Sequence, residues 1–199
     1  MIKKIFFATC RDVGVKCKSW AEERVPEGFE ITDSIEESNI VISIIYDKIL
    51  KDNFLKNRRC FNFHCGKLPE YGGSNIPVWS ILNDEKEFGI TLHRIDKGLD
   101  TGDVIDIQYF DIKNSDTAYS IFKNAELVIY EMFCEWFEKI ILGDYTATPQ
   151  DKSKVKIYYK KKLEKIKDIT KLVKALHFPG KEPLFFFNSK GKKVYIRYD

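Results

Sequence analysis

The chain has 199 residues, 44% of them hydrophobic, enough apolar side chain to close one core, so a single main domain is the default. The net charge is +3 with only six arginines among 33 basic residues, a composition that does not point to nucleic acid, whose readers favour the bidentate arginine fork; ten lysines between Lys152 and Lys174 are a local excess. No apolar run is long enough to span a membrane, no signal-peptide pattern is present, and the cysteines (Cys10, Cys17, Cys60, Cys65, Cys134) and histidines (His64, His93, His177) show neither a disulfide framework nor a metal-ligand spacing, so a cytoplasmic, metal-free chain is expected.

Residues 2–8 form a continuous apolar run, as in a buried parallel strand. Residues 11–24 are only weakly helical in pattern, and no GxGxxG follows the first strand, which leaves a dinucleotide-binding reading without support. Pro26 and Gly28 break the chain, residues 29–32 read as a short strand, and Asp33 or Ser34 can cap a helical turn. Residues 39–45 (NIVISII) are a second buried strand, and residues 47–56 place Ile49, Leu50, Phe54 and Leu55 at helical spacing. Residues 59–64 follow with a period of two, which puts Asn62 and His64 on one face and Phe61 and Phe63 on the other. This alternation predicts an α/β fold with a doubly wound, mostly parallel sheet, whose ligands sit beyond the carboxyl ends of the strands.

Ser74 or Asn75 can cap the next helix, with Pro77 in its first turn and Val78, Ile81 and Leu82 on one face. Residues 89–95 and 103–110 read as strands. Residues 114–142 form a long amphipathic helix stopped by Gly143, with Phe122, Leu127, Ile129, Met132, Phe133, Trp136 and Ile140 as its core side. Beyond Pro149 come a short strand or arm at 154–159 and a helix opened by Thr170 carrying Leu172, Val173 and Leu176. Pro179-Gly180 ends it, and residues 184–187 and 194–198 form a hairpin. The reading divides the chain into a main domain, 1–150, and a small extension, 151–199, too short to fold alone, that packs on the sheet or makes a homodimer contact by edge pairing.

The chemistry-bearing residues gather between Cys60 and Gly102. Asn62 can donate to an oxyanion, and an aspartate near His64 would fix its tautomer and stabilise its charged form. Gly98 and Gly102 flank Asp100 and allow a tight turn that pushes its carboxylate inward. Together these suit acyl transfer without a covalent intermediate, although each alone is also an ordinary strand-end or turn residue. Cys65 beside His64 invites a thiol-nucleophile reading, but neighbours on a strand point to opposite faces. His93 reads as a structural or supporting histidine, and residues 72–75 form either an anion-binding nest or a plain turn and cap.

FNFHCGKLPEYGG followed by GITLHRIDKGLDTGDVI resembles the folate-dependent formyltransferases, whose pattern is Asn-x-His, a leucine–proline turn and an Asp in a Leu-Asp-x-Gly loop. The resemblance spans about residues 39–110 and implies a Rossmann-like catalytic domain and 10-formyltetrahydrofolate as donor. Asn62 would stabilise the oxyanion, His64 would assist proton transfer, and Asp100 would orient or charge His64. The folate pocket would use Lys48, Ile49, Leu50, Ile95 and Asp96, largely through backbone. The tail KIYYKKKLEKIKDITKLVKALHFPGKEPLFF is similar to the end of sugar N-formyltransferases, which act on nucleotide-linked amino sugars; Lys67, Tyr71 and Asn75 would then contact nucleotide or phosphates. The initiator-tRNA branch of the family carries a long C-terminal domain that fifty residues do not supply. His64 arrives earlier than in the family pattern, as if one strand–helix unit were abbreviated. A methionyl-tRNA formyltransferase-like enzyme and a non-catalytic folate or nucleotide-sugar binding module stay open as alternatives.

Overall fold

The computed structural model describes residues 2–50, 52–165, 167–180 and 185–196. Its centre is a six-stranded sheet built from β1 (Lys3–Thr9), β2 (Phe29–Ile31), β3 (Ile40–Ile44), β4 (Arg59–His64), β6 (Glu87–Arg94) and β7 (Val104–Asp111). The order is β2-β1-β3-β4-β6-β7; β2, β1, β3 and β4 run parallel, and β6 and β7 are antiparallel additions. The expected mostly parallel, Rossmann-like sheet is therefore present, with an antiparallel half on the far side of β4.

Strand alternation splits the side chains into two layers. Ile5, Phe7, Ile42, Phe61, Phe63, Ile90 and Leu92 point to the main core, where α1 (Asp12–Glu22) and α4 (Ala118–Leu142) lie. Phe133 and Phe137 of α4 meet Phe7 at ring-centroid distances of 5.8 and 6.3 Å, and Trp20 of α1 stands edge-on to both. The opposite face is thinner. Ala8, Val41 and Cys60 are buried there under Tyr46, Leu50, Phe54, Leu55 and Ile95.

Several local expectations change. Residues 12–22 are a full helix despite their weak pattern, because Val13, Gly14, Cys17 and Ala21 are buried against the sheet and α4; a Cβ on Gly14 would collide with the Thr9 side chain. No helix follows β2; residues 33–38 turn directly into β3. The helix expected over 47–56 is reduced to one turn, α2 (Asp52–Leu55), and Ile49 is 79% exposed. In α4, Thr117 caps the start, with Ser120 in a reciprocal capping box, and Gly143 closes the end at φ 93°. Its core side is Ile121, Ala125, Ile129, Met132, Phe133, Phe137, Ile140 and Ile141; Leu127 is exposed, and Phe122 and Trp136 are half-buried.

The extension is tied to the main body. After β5 (Gly72–Gly73) and α3 (Ile76–Leu82), the later segment β8 (Ile157–Tyr158) pairs in parallel with β5. A 3-10 turn (Lys160–Lys165) leads to α5 (Ile169–Leu176), capped by Asp168, not Thr170. Val173 and Ala175 are its buried residues. β9 (Phe185–Phe187) and β10 (Lys193–Tyr195) form the expected antiparallel hairpin; Leu184 and residues 197–198 of that expectation lie outside the described residues. Among the described residues no helix is long and apolar enough to cross a membrane.

Candidate active site

Asn62 and His64 do share a face of β4, the face opposite α4, with His64 as the last strand residue. The antiparallel register sets His93 of β6 across from Asn62, and Thr91 across from His64. These four polar side chains sit side by side because Phe61, Phe63, Ile90 and Leu92 fill the alternate positions.

The hydrogen bonds assign the tautomers. His93 Nδ1 lies 2.7 Å from the Arg94 carbonyl, which can only accept, so Nδ1 carries the proton. Its Nε2 is then an acceptor, and the Asn62 amide donates to it at 3.2 Å. One hydrogen of the Asn62 NH2 is thereby committed and its plane fixed, and the second has no partner among the described residues. Burial, and then the neighbouring His64, push the His93 imidazolium down to about pKa 4, so the ring is neutral near pH 7. Folding therefore loses stability as pH falls from about 6.5 toward 4, the range in which an unfolded His93 takes up a proton and the folded one does not. A His93→Gln variant is expected to flatten that slope in chemical denaturation across the same range.

His64 Nε2 donates to the Tyr71 carbonyl at 2.7 Å. The tautomer of His64 is thus set by a backbone carbonyl and not by Asp100. Nδ1 is the nitrogen that faces Asp100, at 3.8 Å from Oδ2. Asp100 lies between the two rings, with its Oδ1 3.9 Å from His93 Nε2. Thr91 holds the chain that leaves β4: its hydroxyl donates to Gly66 O at 2.7 Å and accepts from Leu68 N at 3.1 Å.

Asp100 reaches this position through a built loop. Asp96 Oδ1 accepts from Gly98 N and from Thr101 Oγ1, at 3.0 and 2.7 Å. Asp100 sits at φ 54°, a region an aspartate tolerates better than most side chains, and its Oδ2 accepts from Gly73 N at 2.8 Å. A Cβ on Gly102 would meet the Arg94 carbonyl, so glycine is required where the loop returns to β6.

The remaining predicted positions fall into two groups. Leu50 and Ile95 join the same thin apolar layer; Lys48 and Ile49 are exposed beside them, and the Asp96 carboxylate is spent on its own loop. Lys67 and Tyr71 line a cleft of about 310 Å³ with Glu70, Asn83, Glu85, Lys156 and Tyr158. Tyr71 stacks on Tyr158 at 5.0 Å and 11°, and its hydroxyl donates to Glu85 and accepts from Asn83, at 2.6 and 2.8 Å. Burial and the Glu85 bond push the phenol's pKa up, so it stays a neutral donor. Asn75 does not line this cleft; it is exposed, at φ 59°, before α3. The anion-nest reading of residues 72–75 weakens because three of the four amides are taken: Gly72 N by Lys156 O, Gly73 N by Asp100 and Ser74 N by Tyr158 O. The thiol reading also weakens, since burial pushes Cys65 up to about 12.

The formyl transferase family's sequence model matches residues 15–134, more than half of the chain. The chain belongs to the formyl transferase family. Methionyl-tRNA formyltransferase of Malacoplasma penetrans (strain HF-2) is 28% identical over 97% of this chain and 64% of its own length, so the chain spans less than two thirds of that relative. A 4-N formyltransferase from Francisella tularensis superposes with a TM-score of 0.85, at 16% identity, over 99% of this chain and 97% of that one. The formyltransferase PseJ from Anoxybacillus kamchatkensis, solved with UDP-4,6-dideoxy-4-formamido-L-AltNAc and tetrahydrofolate, is 26% identical with a TM-score of 0.69, over 85% and 97% of the two chains. Sequence patterning did not single out Thr91, the cleft residues Asn83, Glu85, Lys156 and Tyr158, or Gln150, whose side chain donates to the carbonyls of Asp100 and Gly102. For Thr91 the period-two pattern of β6 places it on the polar face with His93, which was signal enough.

Proposed function

We propose that the chain transfers a formyl group from 10-formyltetrahydrofolate to the amine of a nucleotide-linked amino-dideoxy sugar, such as dTDP-4-amino-4,6-dideoxyglucose. The observation that carries the transfer chemistry is the convergence of Asn62, His64 and Asp100 on one face of β4, with both imidazole tautomers defined. When the acceptor amine adds to the formyl carbon, negative charge grows on the formyl oxygen. The uncommitted N–H of Asn62 is the donor for it, held in place by His93. The adding amine must lose one proton, and N10 of the donor must gain one as the carbon–nitrogen bond breaks. His64 Nδ1 can take and return that proton, and Asp100 balances the imidazolium in between. The products are a formamide and tetrahydrofolate, with atoms and charge conserved.

Apolar Leu50 and Ile95 next to the backbone of Lys48 and Ile49 suit a flat heterocycle with polar edges, and are the donor side of this reading. The cleft formed by Lys67, Tyr71, Lys156 and Tyr158 is the acceptor side: the Lys156 ammonium, with that of Lys67 once it leaves its 3.3 Å pair with Glu87, suits a diphosphate beside Glu70 and Glu85, and the stacked tyrosines suit a sugar or base. The nucleotide sugar and folate held by the Anoxybacillus kamchatkensis relative support both assignments. The proposal includes a cytoplasmic location and a homodimer joined at the β9–β10 hairpin.

The names of the curated relatives favour a second reading, formylation of methionyl-tRNA through the lysines of 152–174. One experiment separates the two. Protein and formyl donor are incubated with a panel of nucleotide-linked amino sugars and, separately, with initiator methionyl-tRNA. The first reading expects a mass gain of one formyl group on a sugar nucleotide and none on the tRNA. Formylated tRNA with an unreacted sugar panel overturns it in favour of the second, whose binding must also weaken steeply with salt.

A further inference from the structure

Gln150 closes the site from a part of the chain that the transfer chemistry does not use. It follows Thr148, which is bridged to Val104 at the start of β7 by reciprocal backbone bonds of 2.8 and 2.7 Å. From there its side-chain amide donates to the carbonyls of Asp100 and Gly102, at 2.9 and 2.7 Å, so both hydrogens of one NH2 group grip the two ends of the turn that presents the carboxylate. The same segment then runs on to the Asp100-facing loop. Lys156 N donates to Pro69 O, and Lys156 O and Tyr158 O accept from Gly72 N and Ser74 N, at 3.1, 3.0 and 2.9 Å. That second loop supplies the Tyr71 carbonyl to His64 and the Gly73 amide to Asp100. Residues 148–158 therefore touch both loops that fix the His64–Asp100 geometry. The seam between main domain and extension passes through the site and not beside it.

Resting on the formyl-transfer reading, we propose that Gln150 is a positioning residue for catalysis: its two hydrogen bonds hold the Asp100–Gly102 turn so that the carboxylate stays between His64 and His93. The demand on it is physical. Asp100 is in the left-handed backbone region, a conformation that persists where surrounding contacts hold it. A shift of about 1 Å in a catalytic group can cost about a hundredfold in rate. Two carbonyl oxygens can be met only by the NH2 end, which sets the amide's orientation; the other amide atom, Oε1, is buried and has no partner among the described residues.

The test compares Gln150→Ala, Gln150→Glu, Asp100→Asn and the Gln150→Ala/Asp100→Asn double variant. Gln150→Glu keeps the side chain's size but sets a carboxylate against two carbonyl oxygens. Gln150→Ala and Gln150→Glu are expected to lower kcat by about ten- to a hundredfold with both KM values within about threefold of wild type. In the Asp100→Asn background, Gln150→Ala is expected to cost less than about threefold more, because the group it positions is already disabled. The His64 ring resonances, followed by NMR at one fixed pH without any substrate, are expected to shift in the same direction in Gln150→Ala as in Asp100→Asn. Wild-type transfer with an undiminished Gln150→Ala kcat overturns the proposal, as does a full Gln150→Ala loss on top of Asp100→Asn. A wild type that transfers to no acceptor refutes the formyl-transfer reading instead; the NMR arm then still decides whether Gln150 controls Asp100, unshifted His64 ring resonances in Gln150→Ala overturning it.

Discussion

An Asn62→Ala variant is expected to lose about 10²–10³ in kcat, with the donor KM changed by no more than a few-fold. The expectation follows from the difference between ground and transition states. A formyl carbonyl is a modest acceptor, whereas the oxygen of the tetrahedral adduct carries close to a full charge, so in the proposed transfer a donor held in place beforehand would act mainly on the barrier. Asn62 is oriented before any substrate arrives, because His93 Nε2 takes one of its amide hydrogens and the Arg94 carbonyl holds His93 in the matching tautomer. An Asn62→Asp variant is a sharper comparison. It keeps the shape but replaces the donor with an anion that repels both the oxyanion and the lone pair of His93. Its kcat is expected to be at least as low as that of Asn62→Ala, and steady-state kinetics on the purified, folded variants reads both.

The second large effect is expected from Asp100→Asn, a fall in kcat of about 10²–10⁴. The substitution preserves a side-chain oxygen for the Gly73 amide, so the loop conformation has the same support as in the wild type. It also leaves the Asp96 bonds and both Gln150 bonds in place, since these involve other groups or the Asp100 backbone. What disappears is the negative charge 3.8 Å from His64 Nδ1. Without it, the His64 imidazolium that the proposed transfer requires would lack its counter-charge in a nearly buried site. Equal melting temperatures with a collapsed kcat would place the effect in chemistry; a lowered melting temperature in step with activity would place it in folding.

The alternation in β4 makes the heart of the site legible in the sequence. Two phenylalanines at 61 and 63 can only face a core, which leaves Asn62 and His64 on the thinner side of the sheet. Gly102 was legible as a turn residue for the same kind of reason, and the structure adds the carbonyl that a side chain there would strike. The parts that patterning misjudged depend on contacts distant in sequence. Helix α1 exists because α4, about a hundred residues later, covers it. The helix expected over 47–56 is one turn long, and the face it would have sealed is covered by a few apolar side chains. Leu127 follows the helical period yet points outward, since the core of α4 is displaced toward Ala125 and Phe137. The His64 tautomer, set by the Tyr71 carbonyl, and the grip of Gln150 on the Asp100 turn are both invisible to periodicity. One is a backbone group; the other spans 50 and 48 positions of chain.

The most direct measurement is formyl transfer followed by label. 10-Formyltetrahydrofolate carrying a ¹³C formyl carbon is mixed with the amino-sugar nucleotide panel and either the wild type or Asn62→Ala. The expected result is ¹³C-formamide on one sugar nucleotide, formed by the wild type at a rate about 10²–10³ above the variant. Label on no acceptor, or equal rates from the two proteins, contradicts it.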